Sequence, residues 1–179
     1  LNAKACSLDR KTFPPQLPGM MEILFEPIGV IRTPFTNPKD MPIQPVGAQG
    51  IQGTVELRSE LSQGLEDLDG FSHIVLLYAF HESEGYELMV TPFMDDVPRG
   101  VFATRAPRRP NALGLSVVRL LAVQGATLRV EGVDILDGTP LLDIKPHVPD
   151  FDSPPAERTG WLSENARKAR RLKSDDRFR

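Results

Sequence analysis

The chain has 179 residues, of which 40 % are hydrophobic, and its formal net charge is −3. This length favours one well-buried core rather than two. The single cysteine, Cys6, excludes a disulfide within the chain, and no stretch approaches the roughly 20 apolar residues that span a bilayer. We therefore expect a cytoplasmic protein with no membrane partner.

The predicted elements are short strands separated by turn residues. Residues 1–20 contain Pro14, Pro15 and Pro18, and we expect them to form an arm outside the fold. Strands are predicted over residues 23–33, 51–57, 73–81, 86–91, 101–105, 115–123, 127–135 and 141–148. This rhythm, without long helical patterns between the strands, is typical of an all-β barrel or curled sheet.

Helical patterns occur only around this set of strands. One short helix is predicted over residues 59–68, and a basic, exposed helix over residues 163 to about 173, with Ser163 as its N-cap. We expect a barrel domain over residues 21–152, followed by a basic C-terminal tail over residues 153–179.

Several common chemistries lack their sequence signatures. There is no G-x-G-x-x-G, no P-loop and no H-E-x-x-H, so neither a Rossmann fold nor these site types is predicted. His73 and His81 are separated along one predicted strand by roughly 26 Å, at about 3.3 Å per residue, so they cannot share a metal ion. With one cysteine in the chain, we expect no metal site. No serine lies at a strand–turn–helix elbow, which argues against a serine hydrolase.

Positive charge is concentrated in two regions of this acidic chain. Residues 97–130 carry six arginines and no acidic residue, and residues 155–179 carry eight basic and four acidic residues. Such segregation permits a side that faces phosphate groups. The alternative is that the arginines are solvated on unrelated faces.

Residues 105–111, here called the arginine loop, contain three arginines, two prolines and Asn111. Because proline fixes φ, the loop is expected to be stiff. Stiffness suits arginines that present their guanidinium groups to phosphate or carboxylate, and the asparagine amide can both donate and accept hydrogen bonds. The alternative is a surface hairpin with solvated arginines.

Residues 132–150 form a second unusual segment, with a turn predicted at residues 137–140. Asp134, Asp143 and Lys145 lie within the predicted flanking strands. Asp143 and Lys145 are two residues apart, so they share a face and could pair or line a site. A carboxylate within apolar β-sequence needs a partner or a function. A purely structural ion pair stays open as an alternative.

These segments resemble a known family. Residues 71–81, 100–116 and 134–149 look like three signature blocks of the TrmO family, also called TsaA-like or YaeB-like, and residues 27–34 extend the likeness. The resemblance covers about residues 23–152. It implies an S-adenosylmethionine-dependent methyltransferase on a single-sheet, seven-stranded β-barrel without a Rossmann core. It also implies a homodimer with active sites near the subunit interface.

The reaction that the resemblance implies is methyl transfer to the exocyclic amino group of threonylcarbamoyladenosine, beside the anticodon of tRNA. Larger bacterial members carry a second C-terminal domain, and the chain is similar to the shorter members that lack it. Ala106 and His147 stand where members of the family more often have serine and tyrosine.

The resemblance further implies a pocket for S-adenosylmethionine. The implied cofactor-binding residues are Gln44, Pro45, Val46, Phe80, His81, Arg105, Leu115, Asp134, Ile135, Leu136 and Asp137. Among these, Leu115, Ile135 and Leu136 can sandwich an adenine, and Arg105 can hold the methionine carboxylate.

An exocyclic amine is a poor nucleophile because its lone pair is delocalised into the ring. The enzyme must therefore align it and accept its proton, and we expect Asp143 or Asp134 to be the acceptor and Asn111 to orient the amine. The residues expected to bind the threonyl carboxylate or a backbone phosphate are Arg108, Arg109 and Lys145, the last also counted among the catalytic residues. The adenine must be splayed out of the anticodon loop.

Two other functions stay open from the sequence. One is a non-catalytic RNA-binding β-barrel that uses the arginine loop alone. The other is an S-adenosylmethionine-dependent methyltransferase that acts on a different acceptor.

Overall fold

Antiparallel strands dominate the computed structural model, which describes residues 23–178. The strands are β1 (Gly29–Arg32), β2 (Gln52–Leu57), β3 (His73–Ala79), β4 (Met89–Val90), β5 (Arg99–Gly100), β6 (Leu113–Gln124), β7 (Thr127–Glu131) and β8 (Thr139–Pro146). Six of them close into a barrel in the order β1-β2-β7-β6-β3-β8, and β4 pairs with β5 in a separate two-stranded sheet. The predicted arm at residues 1–20 lies outside the described residues.

The helices are all short. The α-helices are α1 (Pro149–Asp152) and α2 (Leu162–Asn165), and 3-10 turns occur at Pro45–Gly47, Ser59–Leu65, Leu68–Gly70, Val101–Ala103, Ala166–Arg170 and Asp176–Phe178. Over residues 23–178, no helix has the length and apolar character needed to cross a membrane.

The predicted all-β class is confirmed, and the barrel has six strands rather than seven. The strand predicted over residues 101–105 is wrong, because Val101–Ala103 forms a 3-10 turn. The predicted C-terminal helix is broken into α2 and a 3-10 turn, and its N-cap is Trp161 rather than Ser163. β7 ends at Glu131 because Gly132, with φ +87°, turns the chain, so Asp134 lies in a loop and not in a strand.

The barrel interior is filled by alternate side chains of each strand. On β3 the buried residues are Ile74, Leu76 and Tyr78, and on the paired β6 they include Ser116 and Val118. In the β3–β6 register Gly114 lies opposite Tyr78, and a Cβ added at Gly114 would collide with the tyrosine ring. The ring therefore covers the glycine backbone and brings the tyrosine hydroxyl to one end of the barrel.

Candidate functional site

A chain of polar groups lies inside this end of the barrel. The Ser116 hydroxyl donates to Oδ1 of Asp134 at 2.6 Å, and the Tyr78 hydroxyl lies 3.0 Å from Ser116 Oγ. Since the serine proton is directed at the carboxylate, the tyrosine hydroxyl is the donor to the serine. Ser116 is only 1 % exposed. The three side chains thus form a directed hydrogen-bond relay that ends on a carboxylate.

Burial controls the protonation of this relay. It raises the pKa of Asp134 from 3.8 to about 6, although the Ser116 hydrogen bond and the charge of Arg105 act in the opposite direction. Burial, and then the charge of Asp134, also raise the pKa of Tyr78 well above its ordinary value of 10. Tyr78 therefore stays protonated at neutral pH, whereas Asp134 changes charge close to neutrality.

Arg105 links the arginine loop to the proline-rich segment between β1 and β2. Its Nη1 donates to Oε1 of Gln44 at 3.0 Å, and its charge acts on both Asp134 and Tyr78. Gln44 directly precedes the Pro45–Gly47 turn. The guanidinium group is exposed, so it is available to a ligand that approaches the end of the barrel.

The loop of residues 134–137 is held by hydrogen bonds from several directions. Thr33 Oγ1 donates to the Ile135 carbonyl at 2.7 Å, and the Thr33 amide donates to Oδ1 of Asp137 at 3.0 Å. Thr139 Oγ1 donates to the Leu136 carbonyl at 2.7 Å and lies 3.3 Å from Nδ1 of His81. His81 thus joins the same neighbourhood, while the side chain of Ile135 packs into the core.

The arginine loop is fixed by contacts of its own. Arg108 Nη1 makes a 3.0 Å ion pair with Oε1 of Glu87, and Arg109 Nη1 donates to the Thr104 carbonyl at 3.3 Å. The side chain of Asn111 is exposed. A cleft of about 500 Å³, a size that suits a nucleoside, lies against Arg108. The cleft is lined by Thr36, Asn37, Pro38, Glu82, Glu84, Arg108 and Phe178.

Other predicted site residues lie on the outside of the barrel. On β8, Lys145 Nζ and Asp143 Oδ2 form an ion pair at 2.8 Å, with side chains 62 % and 44 % exposed. Asp143 and Leu115 both lie opposite Leu77 in the sheet register, so the three form one outward row. The structure therefore does not bring Asp143, Lys145 or Leu115 together with the relay on the inside.

Within residues 23–178, no group of three or more histidine, cysteine or acidic side chains is arranged to hold a metal ion.

The domain match decides the family. A family model described as the tRNA-methyltransferase O N-terminal domain matches residues 30–153. This chain belongs to the TrmO family. The resemblance drawn from the sequence blocks is thereby confirmed.

Similar proteins agree with TrmO membership. The chain is 53 % identical, over 87 % of its length and 85 % of the relative's, to a probable S-adenosyl-L-methionine-binding protein of Pyrococcus abyssi. It is 37 % identical to the tRNA (adenine(37)-N6)-methyltransferase of Mus musculus, over 74 % of this chain but only 32 % of the mouse protein. The crystal structure of TrmO from Pseudomonas aeruginosa matches with a TM-score of 0.67 and 40 % identity, covering 79 % of this chain and 63 % of that one.

The sequence reasoning missed two members of the relay in this TrmO barrel. Tyr78 lies in a nearly continuous apolar run, and Ser116 lies just inside a predicted strand with no nearby motif to mark it. One signal could have found them: Ser116 and Gly114 occupy inward positions of β6 between apolar neighbours, directly beside the strand that carries Tyr78. A polar residue at such a position needs a buried partner.

Proposed function

We propose that this chain is an S-adenosylmethionine-dependent methyltransferase that methylates the exocyclic amino group of threonylcarbamoyladenosine beside the anticodon of tRNA. The observation that carries the proposal is the buried Tyr78–Ser116–Asp134 relay next to Arg105, in a barrel of the TrmO family. Its relatives include proteins named as tRNA (adenine(37)-N6)-methyltransferases and as S-adenosyl-L-methionine-binding proteins.

The residues around Arg105 fit the charges of the cofactor. S-adenosylmethionine supplies a methyl group on a positively charged sulfur and carries an amino-acid head group. Arg105 forms no ion pair with any acidic side chain in the described chain, so its free donors can bind the head-group carboxylate. Gln44 holds the guanidinium group in place, and the Asp134 carboxylate is compatible with a neighbouring positive charge.

Asp134 is the better of the two proposed proton acceptors. Its pKa of about 6 keeps it ionised at neutral pH while leaving it far more basic than an ordinary aspartate. Ser116 holds one carboxylate oxygen at 2.6 Å, which leaves the other to accept a hydrogen bond from the amine. Asp143, by contrast, is half-exposed on the outside of the barrel and already paired with Lys145.

The arginine loop and the adjoining cleft form the proposed acceptor side of the site. Arg108 lines the cleft, and its Nε is buried without a hydrogen-bond partner. Arg108 is the cation among the cleft's lining residues, and the threonyl carboxylate is our proposed partner for it. Arg109 and Asn111, in the same loop, are then placed to orient the nucleotide.

A homodimer is part of the proposal. Leu115 is 50 % exposed on the outward face of β6, and Leu113 on the same face is also exposed. An exposed apolar row of this kind favours burial against a second copy. It would also explain how Leu115 contributes to a cofactor site although it faces away from the relay of its own chain. Light scattering tests this step: we expect the wild type to be dimeric and Leu115→Asp to be monomeric.

The proposed tRNA substrate also implies a cytoplasmic location.

The deciding experiment uses methyl-labelled S-adenosylmethionine and two matched tRNAs, with and without the threonylcarbamoyl group on the adenine. We expect label only in the modified tRNA, and loss of most of this label with Asp134→Asn. Label in both tRNAs would refute the assigned acceptor. Binding of tRNA without any affinity for S-adenosylmethionine, measured by thermal shift, would instead identify a non-catalytic RNA-binding barrel.

A further inference from the structure

The C-terminal segment of residues 161–178 is anchored beside the candidate site. Trp161 Nε1 donates to the Ala103 carbonyl at 2.8 Å, two residues before Arg105. Ser174 exchanges hydrogen bonds with Met41: the Met41 amide donates to Ser174 Oγ and the Ser174 amide to the Met41 carbonyl, each at 2.9 Å. Ala169 is buried against Gly47, at the end of the turn that follows Gln44. The segment therefore contacts both loops that contain the hydrogen-bonded residues Gln44 and Arg105.

The last residues of the segment are also anchored, by contacts of Arg177 and Phe178. Arg177 Nη1 donates to the Pro92 carbonyl at 2.8 Å, and the same guanidinium group lies 5.2 Å from the ring centroid of Phe93. The Phe178 ring meets Phe93 edge to face at 5.0 Å and packs on the small cluster of Val90, Val101 and Ala106. Fixed anchors at both ends give the stretch between them a defined position.

The stretch between the anchors presents five exposed cations. This basic ridge consists of Arg167, Lys168, Arg170, Arg171 and Lys173. None of the five forms an ion pair with an acidic side chain in the described part of the chain, and Lys168 donates to the Met94 carbonyl instead. The two nearby aspartates are already engaged, Asp175 by Arg177 and Asp176 by Lys39.

The ridge therefore carries positive charge that has no ion-pair partner among the described residues, on a protein whose net charge is negative. It also lies outside residues 30–153, the part of the chain that matches the family domain. Several cations close together on an anchored segment suit the closely spaced phosphates of a nucleic acid, where backbone contacts set position and orientation without reading sequence.

We propose that the basic ridge binds the phosphate backbone of tRNA and so positions the anticodon arm over the candidate site. The proposal rests on the tRNA methyltransferase activity proposed above. Because the ridge is built on a segment that contacts the chain around Gln44 and Arg105, a phosphate bound there has a fixed relation to the relay. The ridge contributes to tRNA affinity and not to the chemical step.

The test compares two variants that remove the same charge. Arg170→Gln/Arg171→Gln alters the ridge, and Arg58→Gln/Arg129→Gln alters two exposed arginines at the barrel strands β2 and β7, away from the outward face of β6. For each, KM for tRNA, kcat at saturating tRNA, the Kd for S-adenosylmethionine and the salt dependence of tRNA binding are measured. With the ridge variant we expect KM to rise several-fold, kcat and cofactor affinity to be unchanged, and the slope of log affinity against log salt to fall by about two.

The outcomes separate the two proposals. A ridge variant that methylates tRNA with the wild-type KM and salt slope would overturn the ridge proposal and leave the methyltransferase intact; the ridge would then serve another partner, such as an acidic protein. An equal loss in the barrel-strand control would also overturn it, because the effect would reflect net charge alone. A wild-type protein that neither binds nor methylates tRNA would overturn both.

Discussion

Replacing Asp134 by asparagine should stabilise the fold while removing activity. Asparagine keeps the shape of the side chain and can still accept the hydrogen bond from Ser116, but it carries no charge. The rise in the pKa of Asp134 from 3.8 to about 6 corresponds to about 3 kcal/mol of unfavourable free energy for the ionised form in the folded state. Because the carboxylate retains some solvent access, we expect a gain of about 2 kcal/mol at pH 7.5.

The stabilisation by Asp134→Asn should depend on pH. Between about pH 4 and pH 6 the folded state binds a proton at Asp134 that the unfolded state has released, so wild-type stability falls as the pH rises through this window. Asparagine does not titrate, so the variant should not lose stability through this window. Urea unfolding of both proteins at several pH values should therefore show a difference that is full above about pH 6 and vanishes below about pH 4.

The methyltransferase activity of the wild type and of Asp134→Asn provides the second measurement. If Asp134 accepts the proton of the amine, its loss should lower kcat by about 100-fold or more. The wild-type kcat/KM should fall below about pH 6 as Asp134 becomes protonated, and the residual activity of Asp134→Asn should lack that limb. A variant that is less stable than the wild type at every pH, or that methylates tRNA at the wild-type rate, would refute this account of the relay.

Three further predictions concern other parts of the site. Gly114→Ala should cost about 1 to 3 kcal/mol in urea unfolding, because the new methyl group meets the tyrosine ring opposite, whereas Gly64→Ala, which has open space, should be neutral. Arg105→Lys should raise the Kd for S-adenosylmethionine in calorimetry while leaving the melting temperature unchanged, because a lysine cannot reproduce the guanidinium fork; an unchanged Kd would remove Arg105 from the pocket. Asp143→Asn should change unfolding free energy by less than about 1 kcal/mol, since its ion pair with Lys145 is exposed; a larger loss would contradict the exterior placement.

Much of the fold could be predicted because strand periodicity survives in the sequence. The runs that form β3 and β6 are predicted from their apolar character, since a strand buried inside a barrel must keep it, and the run that forms β2 from its β-rich composition. The errors fall where glycine or a tight turn overrides the pattern. Gly132 ends β7 early, and Val101–Ala103 coils into a 3-10 turn although its composition is β-like. Such outcomes depend on tertiary packing, which a single sequence does not report.

The site was predictable in its loops and less so inside the barrel. Gln44, Arg105 and Asp134 were implied by the family resemblance, and the structure does bring them together. Tyr78 and Ser116 were missed because their roles depend on the register between β3 and β6, and local sequence does not specify which residues of two strands lie opposite.

The pairing of β1 with β8 also determines when the site can form. Gly29 lies opposite Leu141, so barrel closure joins parts of the chain that are far apart in sequence. Thr33, just after β1, holds the loop of residues 134–137 across a similar separation. Contacts of such long range form slowly, and until they form the edges of β1 and β8 stay unpaired and prone to aggregation. The loop of residues 134–137 should therefore gain hydrogen-exchange protection in the same late folding step as β1, and molecules arrested before that step would have a nearly complete sheet but an unformed candidate site.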